Sequence, residues 1–294
     1  MFTLCMPKFR DFPKRNVVQQ NERPPDHDNV QKETDDPKQN EINHRPIPER
    51  FYQQPIQRYG TIGYSSDLVQ AIARAKESLT PTPAESAFAH IVERTDVKNI
   101  RLRSELTDEC VYTYLLPMLK CFYLNGFHIS TEKRQRSPYG LVLCSNPETA
   151  IATYGCIQKF ILDGKLPFIV KVAHQRSAIK DVVSHMQTFC HILVTTHAIL
   201  NNLLPKAEIM LNRCSYMVLQ NVDTWMLSNS KVCPIQRVKD LHTQMKFSGF
   251  PTDEHFMLVS VAESFNKSTD KICNIFSSNP HYDIDLDINN EPLL

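Results

Sequence analysis

The sequence predicts an α/β domain whose central, mostly parallel sheet is covered by helices on both faces. Short runs rich in Val, Ile and Leu recur along the chain, each followed by a stretch with helical spacing. Strands that alternate with amphipathic helices in this way build a parallel sheet buried on both sides. Polar residues gather just after the runs, and the ligands of such sheets sit beyond the carboxyl ends of the strands. Function is therefore to be sought at those ends.

The elements follow in order. Val97–Arg103 is a short strand, and "DECVYTYLLPMLKCFYLNG" is the helix after it. "GLVLC" (140–144) is a strand, and "PETAIATYGCIQKFILDG" a helix with Pro147 suited to its first turn. "PFIVKVA" is a strand, followed by the helix "SAIKDVVSHMQTF" with Ser177 as N-cap. "HILVTT" leads into the helix "HAILNNLL". "SYMVLQNV" leads towards "CPIQRVKDLHTQMKFSG", a helix that Gly249 ends. "HFMLVSVA" is the last strand and "STDKICNIFSS" the last helix.

Composition sets the boundaries. Residues 1–60 are rich in Pro, Asn, Gln and mixed charge, and such a segment buries too little apolar surface to offset its ordering entropy. They are expected to form a disordered arm. Residues 61–278 form the domain, and 279–294, which include "HYDIDLDINNEPLL", an acidic, loose tail. Of the 294 residues, 41% are hydrophobic, enough for a substantial core. The net charge of +1 carries no global nucleic-acid signal. The nine cysteines are scattered, mostly in apolar runs and without a CxxC pair, which favours reduced thiols over disulfides or zinc. The opening "MFTLCMPKFRDFPKR" lacks the apolar stretch of a signal peptide, and no run approaches 18 apolar residues. The expectation is a cytoplasmic protein without membrane contact, a nuclear site remaining open. His185 and His191, six apart, are a poor pair on one helix face, so no metal site is expected.

The strand ends make a series: "PTPAES", then "YLLPML", "LVLCSNPETA", "HILVTTHAIL", "YMVLQNVDTWML" and "LVSVAES". In order, spacing and flanking hydrophobic pattern it resembles the motifs of the first RecA-like domain of DEAD-box RNA helicases. The resemblance implies the P-loop NTPase type of fold, with ATP and Mg²⁺ at the sheet edge and RNA across it.

The likeness fails where that chemistry is. The family's Pro-Thr-Pro-Ile-Gln reads adenine through its glutamine. Here Pro81-Thr82-Pro83 is kept, but Glu85 takes the glutamine's place, and a carboxylate only accepts hydrogen bonds. Counting back from Tyr114-Leu115-Leu116-Pro117, the phosphate loop falls on Ser104–Val111. Such a loop needs glycines, a lysine for the phosphates and a hydroxyl for Mg²⁺. This one has no glycine, Cys110 for the lysine and Val111 for the hydroxyl, with Thr107, Asp108 and Glu109 just before them. Its acids repel a triphosphate, and an acid-rich first turn of an ordinary helix is the plainer reading. The family's Asp-Glu-Ala-Asp becomes Gln220-Asn221-Val222-Asp223, two amides where Mg²⁺ prefers charged oxygen. Asp223 is expected to make a structural hydrogen bond to Ser260 of "SVA", the position of the family's Ser-Ala-Thr.

Catalytic residues are thus not expected at Gln220 and Asn221, and ATP or Mg²⁺ enters only if the altered site still works. For RNA the resemblance points to Ser145, Asn146, Glu148, Thr196 and His197, where plain helix capping competes equally with phosphate contact. "EKRQR" (132–136) reads as a solvated turn, and Trp225 as core. Three functions stay open: a helicase-derived module of RNA metabolism that binds RNA or protein without ATP turnover, a working ATP-dependent RNA helicase, and a protein-interaction scaffold. Protein partners are expected, and nothing indicates DNA specificity. Altered helicase domains behind a disordered arm also resemble Yb-type proteins of the germline piRNA pathway, although the Tudor domains of those proteins are not found here.

Overall fold

The computed structural model describes residues 44–46, 59–60, 63–76, 80–92, 98–127, 137–175, 182–184, 188–206, 208–227, 234–251, 256–277, 279 and 281–285. They belong to one compact unit spanning Ile42–Leu294. The expected arm, apart from 44–46 and 59–60, lies outside the described residues. So do Ser177, His185, "EKRQR" and 286–294.

The elements in chain order are β1 (His44–Pro46), α1 (Ser66–Ala75), α2 (Pro83–Val92), β2 (Asn99–Arg103), α3 (Asp108–Leu124), β3 (Gly140–Cys144), α4 (Pro147–Gly164), β4 (Val170–Ala173), β5 (Ile192–Thr196), α5 (His197–Leu203), β6 (Tyr216–Gln220), α6 (Pro234–Phe247), β7 (Met257–Ala262), α7 (Lys267–Phe276) and β8 (His281–Asp285). Short 3₁₀ turns follow α5 (Leu204–Lys206) and β6 (Val222–Leu227). Of the expected helix at 177–189, Val182–Ser184 are helical.

One eight-stranded sheet runs β1-β8-β2-β7-β6-β3-β5-β4, and every pair in it is parallel. The six strands expected from the sequence are all present in it. Two were not expected. His281–Asp285, assigned to the loose acidic tail, is strand β8, paired to β2 from Ile100↔Tyr282 to Arg103↔Asp285. Its Tyr282 and Ile284 are buried, so a period-2 apolar pattern runs beneath its acids. β1, within the expected arm, pairs with β8.

Side chains alternate between two cores. On one face Ile100, Val142, Val194, Val218 and Val259 pack under α1, α2, α3 and α4. On the other Leu141, Leu193, Met217, Leu219 and Leu258 pack under α5, α6 and α7. Several helices start where their residues satisfy the first free N–H groups. Thr107 accepts from Cys110, Asn146 from Thr149, and Asn266 from Ser268 and Thr269 in a capping box with the Thr269 hydroxyl. Gly249, at φ +84°, lets the chain turn after α6.

α1 and α4 meet closely at Gly164. A Cβ there would lie 2.8 Å from the Cβ of Ala71 and 3.3 Å from its Cα. Backbone cannot yield as a side-chain end does. Gly164→Val is expected to cost about 1–3 kcal/mol through overpacking, read as a lower urea midpoint.

Candidate functional site

The carboxyl edge of the sheet brings the residues singled out in the sequence into one row. Cys144 ends β3 with Thr196 of β5 as its partner on one side and Gln220 of β6 on the other. One strand pair further along, Arg103 lies opposite Ala262. Residues scattered over some 160 positions thus share one sheet edge because all the strands point the same way.

The stretch Ser104–Val111 enters α3 as a well-capped turn. The Ser104 N–H donates to the Ala262 carbonyl at 3.0 Å, and its hydroxyl to the Glu105 carbonyl at 2.7 Å. The Thr107 hydroxyl accepts from the Cys110 N–H at 3.1 Å. Asp108 and Glu109 are exposed in the first turn, a favourable place for carboxylates at a helix N-terminus. Cys110 is fully buried against the side chains of Ser104 and Gln220, and burial pushes its thiol up to about 11. Val111 is buried in the core. The cysteine and the glutamine that stand in the lysine and first-aspartate positions therefore touch each other as neutral groups.

Gln220 is 0% exposed, and its amide donates to the Asn221 side-chain oxygen at 3.1 Å. Asn221 takes a left-handed conformation, φ +54°, which asparagine tolerates better than most residues. That bend starts the 3₁₀ turn: Thr224 donates to the Asn221 carbonyl through both its N–H (3.1 Å) and its hydroxyl (2.8 Å). The indole N–H of Trp225 donates to the Gln220 carbonyl at 3.0 Å, so Trp225 is a core residue that ties the turn to the strand end. Asp223 does cross to the end of β7, but not to Ser260. Its carboxylate accepts from the Glu263 N–H at 3.3 Å, while the buried Ser260 hydroxyl lies against the Cys273 thiol. The side chain of Ser260 faces α7 because it alternates with Val259 and Val261, which face α3.

Glu85 is 1% exposed and fully engaged by its own chain. It accepts from the Tyr59 hydroxyl at 2.6 Å, from the Thr82 N–H at 2.9 Å and from the Lys76 ammonium. The Thr82 hydroxyl in turn accepts from the Glu85 N–H at 3.2 Å, a reciprocal cap of α2. Composition alone places Tyr59 in the arm and does not single out Lys76. Lysine at the end of α1 is an ordinary surface choice, and its partner lies nine positions on.

Of the RNA candidates, Asn146 caps α4 through the Thr149 N–H at 2.8 Å and donates to the Ser145 hydroxyl at 3.2 Å. Glu148 is exposed in the first turn of that helix. Thr196 is buried, and its hydroxyl donates to the Gln175 side chain at 2.9 Å. The half-buried His197 lies beside the Trp225 ring, centroids 5.8 Å apart. The capping role is present for Asn146. Thr196 makes no side-chain cap of α5. Among the described residues no cluster of His, Cys, Asp and Glu could hold a metal, and no helix is long and apolar enough to cross a membrane.

A parallel sheet with this strand order and these edge positions defines the RecA-like fold of DEAD-box helicases, and solved structures agree. The yeast DEAD-box splicing factor Prp28 matches with a TM-score of 0.65 at 15% identity, over 78% of this chain and 52% of that one. Mss116p bound to single-stranded RNA and AMP-PNP matches at 0.66 with 10% identity, over 82% and 47%. A variant of S. cerevisiae Dbp5 bound to Gle1 and IP6 matches at 0.57 with 14% identity, over 78% and 53%. The chain thus spans about half the length of the proteins it matches. No protein-family model matches the sequence.

Two predictions follow from burial. Desolvation raises the thiols of Cys110, Cys121 and Cys273 to about 11, and those of Cys144, Cys156, Cys190 and Cys214 to about 12. At pH 8 a thiolate-seeking reagent is expected to spare all seven in the native protein and to label them after denaturation, read by mass spectrometry. His197 shifts the other way: burial lowers its pKa below 6.5, and the Arg237 charge adds to the effect. Folding therefore favours the neutral ring. That contribution is complete above the unfolded value near 6.5 and is lost as pH falls through the folded one. His197→Gln is expected to narrow the difference in urea midpoint between pH 7.5 and pH 5.5.

Proposed function

We propose that this chain is a RecA-like module of RNA metabolism that binds RNA or protein and has lost ATP turnover. One observation carries the reading: the chain's own side chains occupy the three nucleotide-facing positions. Glu85 is held by Tyr59, Lys76 and Thr82, the Cys110 N–H in the first turn of α3 by the Thr107 hydroxyl, and the Cys110 thiol lies against Gln220. A phosphate loop works through backbone N–H groups left free for oxygen and a lysine that reaches them. Here the turn has its own cap, a buried thiol and exposed carboxylates. Mg²⁺ gives up its waters for charged oxygens, and Gln220 and Asn221 supply amides that bond to each other. These residues do not fit Mg·ATP.

The RNA and protein side of the proposal rests on the neighbours. Mss116p is bound to RNA in its structure, Dbp5 to Gle1, and Prp28 is a splicing factor. A cytoplasmic site of action, and the narrower likeness to Yb-type piRNA proteins, belong to the same proposal. The working helicase is the rival reading, with Asp223 kept at its place on the turn as the feature in its favour.

RNA-stimulated phosphate release separates the two. The purified chain and a Gln220→Ala variant are both expected to sit on the blank, and calorimetric titration with Mg·ATP to show binding no tighter than millimolar. Turnover near about 1 s⁻¹ that disappears in the variant would establish the helicase reading instead. Cys110→Lys alone is expected to restore nothing, because lysine, loop glycines and metal ligand act as one unit. Anisotropy of a labelled single-stranded RNA over a salt series reads the RNA arm, since phosphate contacts weaken steeply with salt.

A further inference from the structure

Four separate pieces of chain meet at one ammonium group. Lys76 caps the end of α1, where its N–H donates to the Ile72 carbonyl, and its side chain is only 10% exposed. The ammonium bonds to Glu85 of α2 and to the Tyr59 hydroxyl, the latter at 3.0 Å. It also lies 5.6 Å from the centre of the Tyr59 ring and 5.4 Å from that of Tyr112 on α3. Tyr59 in turn donates to Glu85, so ammonium, phenol and carboxylate close a ring of three hydrogen bonds. Next to it Tyr64 packs edge-on against Tyr59, centroids 5.8 Å apart, and lies under the ammonium of Lys120, 5.3 Å from its ring.

A buried ion pair of this kind adds little over well-packed apolar side chains, yet removing one partner leaves an uncompensated charge. A phenol oxygen, a carboxylate and the nearby Tyr112 ring around an ammonium form a cation site of favourable electrostatics. Tyr59 and Tyr64 are thus joined to α3 and α2 by lysine ammonium groups as well as by the Tyr59–Glu85 hydrogen bond and core packing.

We infer that Tyr59, Lys76, Glu85 and Tyr112 form a latch that fastens the stretch ahead of α1 to α2 and α3, and that its keystone is an ammonium site which, once emptied, takes a free alkylammonium ion. The latch is independent of whether ATP turnover is lost. It fixes the stretch through Tyr59 and Tyr64 ahead of α1, and its release frees that stretch while the sheet stays folded.

Lys76→Ala removes three methylenes and the ammonium, which is the outline of n-propylammonium. The full-length variant is to be melted in rising n-propylammonium chloride, against potassium chloride at equal ionic strength. The expected result is a lowered Tm that recovers, with saturation, in propylammonium and not in potassium, while the unsubstituted protein responds alike to both. The recovery is expected to vanish in the double variant with Glu85→Gln, which removes the carboxylate that bonds the ammonium. If propylammonium stabilises Lys76→Ala no more than potassium does, the ammonium site is refuted.

Lys76→Met, similar in length and neutral, reads the latch should the alanine variant not fold. Amide exchange of residues 63–72 is expected to rise at least tenfold while β3, β5 and β6 keep their protection. Unchanged exchange at 63–72, or an equal rise throughout the sheet, would overturn the latch.

Discussion

Burial of the sheet on both faces is the constraint on which the remaining structure depends. The parallel strands β3, β5, β6 and β7, covered by helices on both faces, are buried at every position, so their polar chemistry is confined to the edges where strands end. The carboxyl edge therefore collects whatever polar chemistry the chain has. In this protein the edge is occupied by the chain's own hydrogen bonds: Thr107 on an amide of α3, Gln220 on Asn221, Thr196 on Gln175. A site built to receive a ligand leaves such groups waiting. Here these three are answered from within, and in a buried place that costs less than leaving them unpaired.

The strands are legible in the sequence because a strand buried on both faces is apolar at every position, as in Leu141-Val142-Leu143 or Tyr216-Met217-Val218-Leu219. β8 is not, because its acids alternate with Tyr282 and Ile284 and dominate any average taken over the tail. The same averaging hides Tyr59, a buried aromatic in a stretch of polar composition. Boundaries shift by one to three residues where strand ends fray into turns, as at Val97 against Asn99.

The site is legible in a different way. Residue types alone reveal that Cys110, Val111, Gln220 and Asn221 depart from the family's chemistry, since that judgement needs only charge and hydrogen-bonding capacity. What they do instead is not legible. The contact of Cys110 with Gln220 spans 110 positions, and that of Tyr59 with Glu85 spans 26. Asp223 shows the limit well: its link to the end of β7 is foreseeable, but the acceptor–donor pair is set by strand alternation, which turns Ser260 away and leaves the Glu263 N–H in reach.

The place of β2 in the sheet has a consequence for synthesis. β2 pairs only with β7 and β8, through partners such as Asn99↔Leu258 and Ile100↔Tyr282. On a ribosome adding roughly 5–20 residues per second, it emerges about ten to thirty seconds before either neighbour exists. β3, by contrast, meets β5 and β6 within some 80 residues. During that interval the apolar Ile100 and Leu102 and a full set of strand amides have no native partner, a state open to mispairing. Flanking basic residues Arg101 and Arg103 keep it charged meanwhile. The guanidinium of Arg101 later becomes a buried partner of Asp270, so one residue guards the nascent strand first and joins the finished core afterwards.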